Sequence, residues 1–231
     1  MSVSDPMQCS NCPIPLDQRV CLHSEGTGPS FCPTLKQPWM IDHTLKRYQE
    51  PEIRTFAREA ARQEADAYWN RVDGTYPIKP RLRETIEFAK RMGYRRLGIA
   101  FCAGLHREAG LLSNVLEAHE FEAVSAVCKV GGIPKETIGL TDDDKIKRGA
   151  DETLCNPIGQ AALLNFLETE FNIVLGLCVG HDAHFFGHSD APVTVLAAKD
   201  RVMGHNPIAA LYTIESYSRW IKHHDPEPKT I

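Results

Sequence analysis

The chain's clearest chemical potential lies in its eight cysteines, which fall into two groups. The first group has the pattern Cys9-x2-Cys12-x8-Cys21-x10-Cys32. A tight Cys-x2-Cys pair can bite one metal ion or cluster, and the later thiolates can close the shell from a flexible loop. Four thiolates suit tetrahedral zinc or an iron–sulfur cluster. The wider spacings match neither a paired zinc ribbon nor the usual bacterial ferredoxin run, so the identity of the metal stays open. Two disulfides, or simply unligated thiols, are the bland alternative, and a reducing compartment argues against the disulfides. His23 can replace one cysteine as a ligand, although a solvent-facing histidine suits its position better.

The second group follows short apolar runs. RRLGIAF ends at Cys102, FEAVSAV at Cys128 and NIVLGL at Cys178. In an open α/β sheet the carboxyl ends of parallel strands line the binding crevice, so these thiols are expected to gather there. Cys155 is expected to join them. It stands just before Asn156 and Pro157, where a helix amino terminus favours a thiolate. A buried cysteine acting as a small hydrophobe would explain one such position, but three equivalent positions point to a shared cofactor-binding site. A cluster on Cys102, Cys128 and Cys178 can leave one iron open, with Cys155 or His181 as fourth ligand or acid–base group.

Polar residues cluster after the same runs. His181 or His184 can ligate metal or shuttle a proton, and Lys199 or Arg201 can hold an anion, which makes His181 and Lys199 the candidate catalytic groups. Asn206 is a candidate cap for a helix at Pro207, and Gly131-Gly132 can admit a ligand close to the backbone. No Walker sequence, dinucleotide Gly-x-Gly-x-x-Gly fingerprint or His-Glu-x-x-His helix occurs.

The elements that must position these residues can be read from periodicity. Residues 1–38 carry four cysteines and six prolines with little apolar periodicity, so this stretch cannot build a core unaided and a metal knot would order it. Residues 42–71 are rich in strong helix formers, and Pro51 suits a first helical position, which predicts two consecutive helices. From residue 80 helices alternate with short apolar strands: PRLRETIEFAKRM closed by Gly93, RRLGIAF, GLHREAGLLSNVLEAHE, FEAVSAV, NPIGQAALLNFLETEF, NIVLGL and APVTVLAAK. Parallel crossovers require such helices, so the expectation is an α/β fold with a mostly parallel, roughly four-stranded sheet and helices on both faces. A Cys-rich segment over residues 1–40 precedes an α/β domain with a helical lead-in over 41–231. Residues 129–151 read as a long excursion over the active edge, and the tail HHDPEPKTI as a solvated end.

Composition bounds the function. A net charge of −4 supplies no general drive toward phosphate backbones, so nucleic acid is not an expected partner. The opening MSVSDPMQCSNCP lacks a basic segment followed by an apolar run, and no stretch suits a membrane-spanning helix, so the chain reads as cytoplasmic without a membrane partner. A small molecule or a redox partner is the expectation that remains, and the oligomeric state is not readable.

Several motifs together carry a family resemblance over nearly the whole chain: CSNCP with the later Cys21 and Cys32, FCAGL, VCKVGGIPK, CNPIGQA, GLCVGHDAHF and KDRVMGHNPIAALY. The chain resembles a family of uncharacterised metal-binding proteins found mainly in anaerobic prokaryotes and known only as a domain of unknown function. The resemblance implies metal binding, with no reaction or substrate attached. Two functions fit these residues: a metal–thiolate enzyme of redox or sulfur-transfer type, or a noncatalytic metal carrier or metal and redox sensor. A zinc-knot interaction module on an α/β scaffold is a third.

Overall fold

The computed structural model describes residues 7–222, and the expected solvated tail lies outside them. The chain divides into two compact units, Met1–Ala65 and Asp66–Ile231.

The first unit contains two short 3-10 turns, Cys9–Asn11 and Leu16–Gln18, followed by helices α1 (Pro33–Lys36), α2 (Pro38–Arg47) and most of α3 (Pro51–Asp66). Proline opens all three helices, where its missing N–H breaks no intrahelical bond. Among residues 7–50 only Cys32 is buried, so this segment has almost no apolar core of its own.

In the second unit the helical reading of residues 42–71 ends early. Tyr68–Arg71 (β1) and Gly74–Pro77 (β2) form an antiparallel hairpin in which Trp69 faces Tyr76 and Asn70 faces Thr75. Aromatic and β-branched residues flanking Asp73-Gly74 outweigh the helix propensity of the preceding run. The rest of the unit alternates as its periodicity requires: α4 (Arg81–Arg91), β3 (Arg96–Phe101), α5 (His106–Ala118), β4 (Glu122–Val127), α6 (Pro157–Phe166), β5 (Phe171–Leu175), α7 (His181–His188), β6 (Val193–Ala197) and α8 (Ile208–Tyr212). Asn156 caps α6 by accepting from the Gly159 amide at 2.9 Å. No side chain caps α8, whose N-cap is Pro207 rather than Asn206.

The main sheet has the order β4-β3-β5-β6 and is parallel throughout. The path moves from β3 outward to β4, then reverses across β3 to β5 and β6. Right-handed crossovers therefore put α5 and α6 on opposite faces, and a crevice opens at the carboxyl ends of β3 and β5, where the direction reverses. On one face Phe88 of α4 meets Phe171 of β5 at 5.6 Å between ring centroids. On the other, Ala100, Ala126, Cys128, Ala161, Leu164, Val174, Leu177 and Phe185 form a buried cluster against which Cys102 and Cys155 also pack.

Two polar features in this layer fix the register. Asn172 is fully buried in β5, where its side chain accepts from Thr169 Oγ1 and donates to Ser189 Oγ, both at 2.9 Å. Neighbouring Gly98 makes room for it: a Cβ there would stand 2.0 Å from Asn172 Oδ1. Gln160 of α6, also fully buried, donates to the carbonyls of Phe101 and Ala126, so it ties together the ends of β3 and β4. Among the described residues no helix is long and apolar enough to cross a membrane.

Candidate functional site

Cys102 and Cys128 extend the β3–β4 ladder by one step. Phe101 pairs with Val127, the Cys128 amide donates to the Phe101 carbonyl at 2.8 Å, and the Cys102 amide donates to Leu175 in β5. Side chains alternate along a strand, so Cys102 and Cys128 share the face of Ala100 and Ala126.

Cys155 arrives by a different route. Residues 129–154 leave the end of β4 and return to it. Lys129 donates to the Thr153 carbonyl, Pro134 bridges Thr153, and the Asn156 amide donates to the Cys128 carbonyl at 2.7 Å. Gly131 and Gly132 adopt φ values of +90° and +58° in the first turn of this excursion, a left-handed path that glycine takes without strain. The closure sets the Cys155 and Cys128 sulfurs 3.9 Å apart, within hydrogen-bonding distance for sulfur.

Cys178 stands further from the sheet than a strand end would put it. β5 stops at Leu175, Gly176 turns left-handed at φ +69°, and Cys178 lies in the loop before α7, where its carbonyl accepts from the amides of His181 and Asp182. Its sulfur accepts a hydrogen bond from Arg201 Nη2 at 3.2 Å. Arg201 projects from a tight turn in which Asp200 Oδ1 accepts from the amides of Val202 and Met203. Lys199 and Cys102 flank Gly104: a Cβ there would lie 3.4 Å from Lys199 Nζ and 3.9 Å from Cys102 Sγ.

The crevice thus brings together Cys102, Cys128, Cys155 and Cys178 with Lys129, His181, Lys199 and Arg201. Its electrostatics separate the close pair of thiols. The pKa of Cys155 is lowered to about 5, first by the hydrogen bond from Cys128 and then by the fields of Lys129 and His181, against the opposing effect of burial. Cys128 shifts upward, because it donates to Cys155 and is desolvated, although the Ala103 amide at 3.3 Å partly offsets this. By distance alone either thiol can donate. The neighbouring positive charge leaves the proton on Cys128 and the negative charge on Cys155. To the helix amino terminus expected to favour a Cys155 thiolate the structure adds the hydrogen bond with Cys128.

Exposure divides the same pair. Cys128 is 3% exposed, whereas Cys155 is half-buried. Among the described residues, Lys129, Lys199 and Arg201 form no ion pair with a carboxylate, while Asp182 accepts from the Ala183 amide. Lys129 and the excursion's closing bonds were the parts hardest to find from the sequence. Their signal is position alone: Lys129 follows Cys128 directly.

The amino-terminal thiols form their own arrangement. Cys9, Cys12, Cys21 and Cys32 line one cavity of about 90 Å³ together with Arg19, Pro29, Phe31, Pro33 and Thr34. Arg19 stitches the surrounding loop by donating to the carbonyls of Ile14 and Cys12 at 2.7 and 3.2 Å. Two glycines permit the close approach. A Cβ on Gly26 would sit 2.4 Å from the Arg19 carbonyl carbon, and one on Gly28 would sit 2.9 Å from Cys32 Sγ. His23 is exposed and is not among the residues lining the cavity. Among the described residues no three His, Cys, Asp or Glu side chains are grouped as a metal-holding set. A larger groove of about 300 Å³, lined by Pro80, Leu82, Arg83, Ile86, Glu87, Lys90 and His119, contains no thiol.

Sequence comparison places these sites in a family context. The family described as a protein of unknown function (DUF1847) matches residues 32–196, a span that includes Cys32 and all four crevice cysteines but not Cys9, Cys12, Cys21, Lys199 or Arg201. An uncharacterised protein of Methanocaldococcus jannaschii, MJ0455, is 40% identical over 207 residues, which cover 90% of this chain and 94% of the relative. No solved structure matches. With a profile match over most of its length and a relative this similar, the chain belongs to the DUF1847 family.

Proposed function

We propose that this chain is a metal–thiolate protein with thiol chemistry at the carboxyl edge of its sheet. Cys9, Cys12, Cys21 and Cys32 hold zinc or an iron–sulfur cluster in a structural role, and the crevice cysteines carry a redox or sulfur-transfer reaction. The observation that carries this reading is the gathering of Cys102, Cys128, Cys155 and Cys178 among Lys129, Lys199 and Arg201 at the point where the sheet reverses direction. Cations beside thiols favour the thiolate, which is the nucleophilic form.

The metal assignment to the first unit rests on the shared cavity. Four thiols open on about 90 Å³, and a segment with so little buried apolar surface gains its order from such a centre. In the crevice the Cys128 and Cys155 sulfurs stand 3.9 Å apart as a pair, an arrangement suited to thiol chemistry. The same thiol chemistry suits a cytoplasmic setting and a small-molecule or redox partner. Exposed Cys9 and Cys21 favour a second reading, a metal carrier or sensor, because exposed ligands exchange metal readily.

Elemental analysis and an absorption spectrum of anaerobically purified protein test the assignment. The wild type and a Cys155→Ser variant are expected to contain the same metal, and a Cys9→Ser/Cys12→Ser variant is expected to lose it. Full metal retention in the double variant overturns the amino-terminal site. Faster metal transfer to a chromophoric chelator than is typical of a closed structural site would favour the carrier.

A further inference from the structure

Resting on the reading of the crevice as a thiol site, we propose that Cys155 attacks and Cys128 resolves in thiol–disulfide exchange with a small anionic disulfide. Four observations point to this division of labour. The two sulfurs are 3.9 Å apart, so modest side-chain rotation brings them to the ~2.05 Å of a disulfide. Cys155 is reachable from solvent, whereas Cys128 at 3% exposure can meet only a sulfur already attached to its neighbour. Cys128 belongs to the buried cluster, so its side chain is held in place, while Cys155 packs against that cluster from the returning excursion. Finally, Lys129, Lys199 and Arg201 present positive charge without a carboxylate partner among the described residues.

The chemistry closes without an added oxidant, because the substrate disulfide is the oxidant. The Cys155 thiolate attacks one sulfur of R–S–S–R′, the S–S bond breaks, and a Cys155–S–S–R mixed disulfide forms. The leaving R′–S⁻ departs to solvent, where it is protonated, and Cys128 gives up its own proton to water. The new Cys128 thiolate then attacks Cys155 Sγ, the bond to R breaks, and R–S⁻ departs. The substrate gains two electrons and becomes two thiols, and the Cys128–Cys155 dithiol becomes a disulfide. A second dithiol returns the pair to its reduced form by the reverse exchange. Cations around the crevice raise the local concentration of a disulfide bearing carboxylates and stabilise the departing thiolates.

The test uses the full chain, purified anaerobically with its metal, and two probes of opposite charge: oxidised glutathione, which is anionic, and cystamine, which is cationic. Each rate is normalised to that of the same disulfide with free dithiothreitol. Intact mass and peptide mapping are expected to show a Cys128–Cys155 bridge in the wild type, a glutathione adduct trapped on Cys155 in Cys128→Ser, and no crevice adduct in Cys155→Ser. Glutathione disulfide is expected to react about tenfold faster than cystamine after normalisation, and Arg201→Gln to lose most of that preference. Equal normalised rates overturn the anionic substrate. A bridge between other cysteines, or an adduct on Cys102 or Cys178 in Cys128→Ser, overturns the attack-and-resolve assignment. The wild-type peptide map decides this even where Cys128→Ser fails to fold. Metal content is measured in every sample. Loss of metal in Cys155→Ser overturns the thiol-site reading itself, whereas retained metal without a Cys128–Cys155 bridge overturns the exchange alone.

Discussion

At the residue scale the crevice separates two chemically identical side chains by their surroundings. Cys155 has Lys129 and His181 beside it and a hydrogen bond from Cys128, and its pKa falls to about 5. A lowered pKa means that the reactive thiolate persists above pH 5 and is lost only as the pH falls through that value. An ordinary thiol loses its thiolate below about pH 8.5. Pulsed alkylation with iodoacetamide at pH values from about 4 to about 9, read by peptide mapping, is therefore expected to label Cys155 throughout the neutral range with a midpoint near 5, while Cys128 resists. Replacing Lys129 with Met is expected to move the Cys155 midpoint upward, because one stabilising charge is gone. A midpoint near that of a free thiol in the wild type would remove the electrostatic distinction between the two.

At the element scale, two glycines let helices and strands approach closely enough to shape the crevice. Gly98 sits in β3 where any side chain would overlap Asn172 and Leu164. Gly176 turns the chain left-handed after β5, and a Cβ there would stand 2.2 Å from Leu105 Cδ1. Gly98→Ala is expected to destabilise the second unit by about 1–3 kcal/mol, the usual cost of overpacking a filled interior. A lowered thermal midpoint with unchanged metal content would bear this out, and an unchanged midpoint would show that Asn172 can move aside. The strands and most helices of this unit were legible because apolar runs and helical spacing alternate clearly from Arg81 to Ala197. The β1–β2 hairpin was hidden behind a helix-rich composition, since its first strand begins at Tyr68, two residues after α3 ends at Asp66. Cys178 was read as a strand end because NIVLGL is apolar throughout, yet the left-handed Gly176 stops the strand before the run does.

At the scale of the whole molecule, two units meet the requirement for a core in different ways. The second buries a parallel sheet between helices. In the first, residues 7–50 bury only Cys32, and four thiols surround a small cavity. On the metal-site reading, chelation is expected to raise amide hydrogen exchange across residues 7–50 while the strands β3 to β6 keep their protection. Equal protection with and without chelator would show that the first unit is ordered by other contacts. The sequence alone determined which class of fold the chain adopts and which residues are candidates for chemistry, because thiol spacing and hydrophobic periodicity are local properties of the chain. Only the tertiary structure decided that Cys155, 27 residues after Cys128, returns to 3.9 Å from it, and that Arg201 reaches Cys178 from beyond the last strand. These approaches depend on how the excursion closes, on where Gly176 ends β5 and on the order β4-β3-β5-β6. Periodicity reports which face of an element is buried. It carries no information on which distant loop comes to rest beside it.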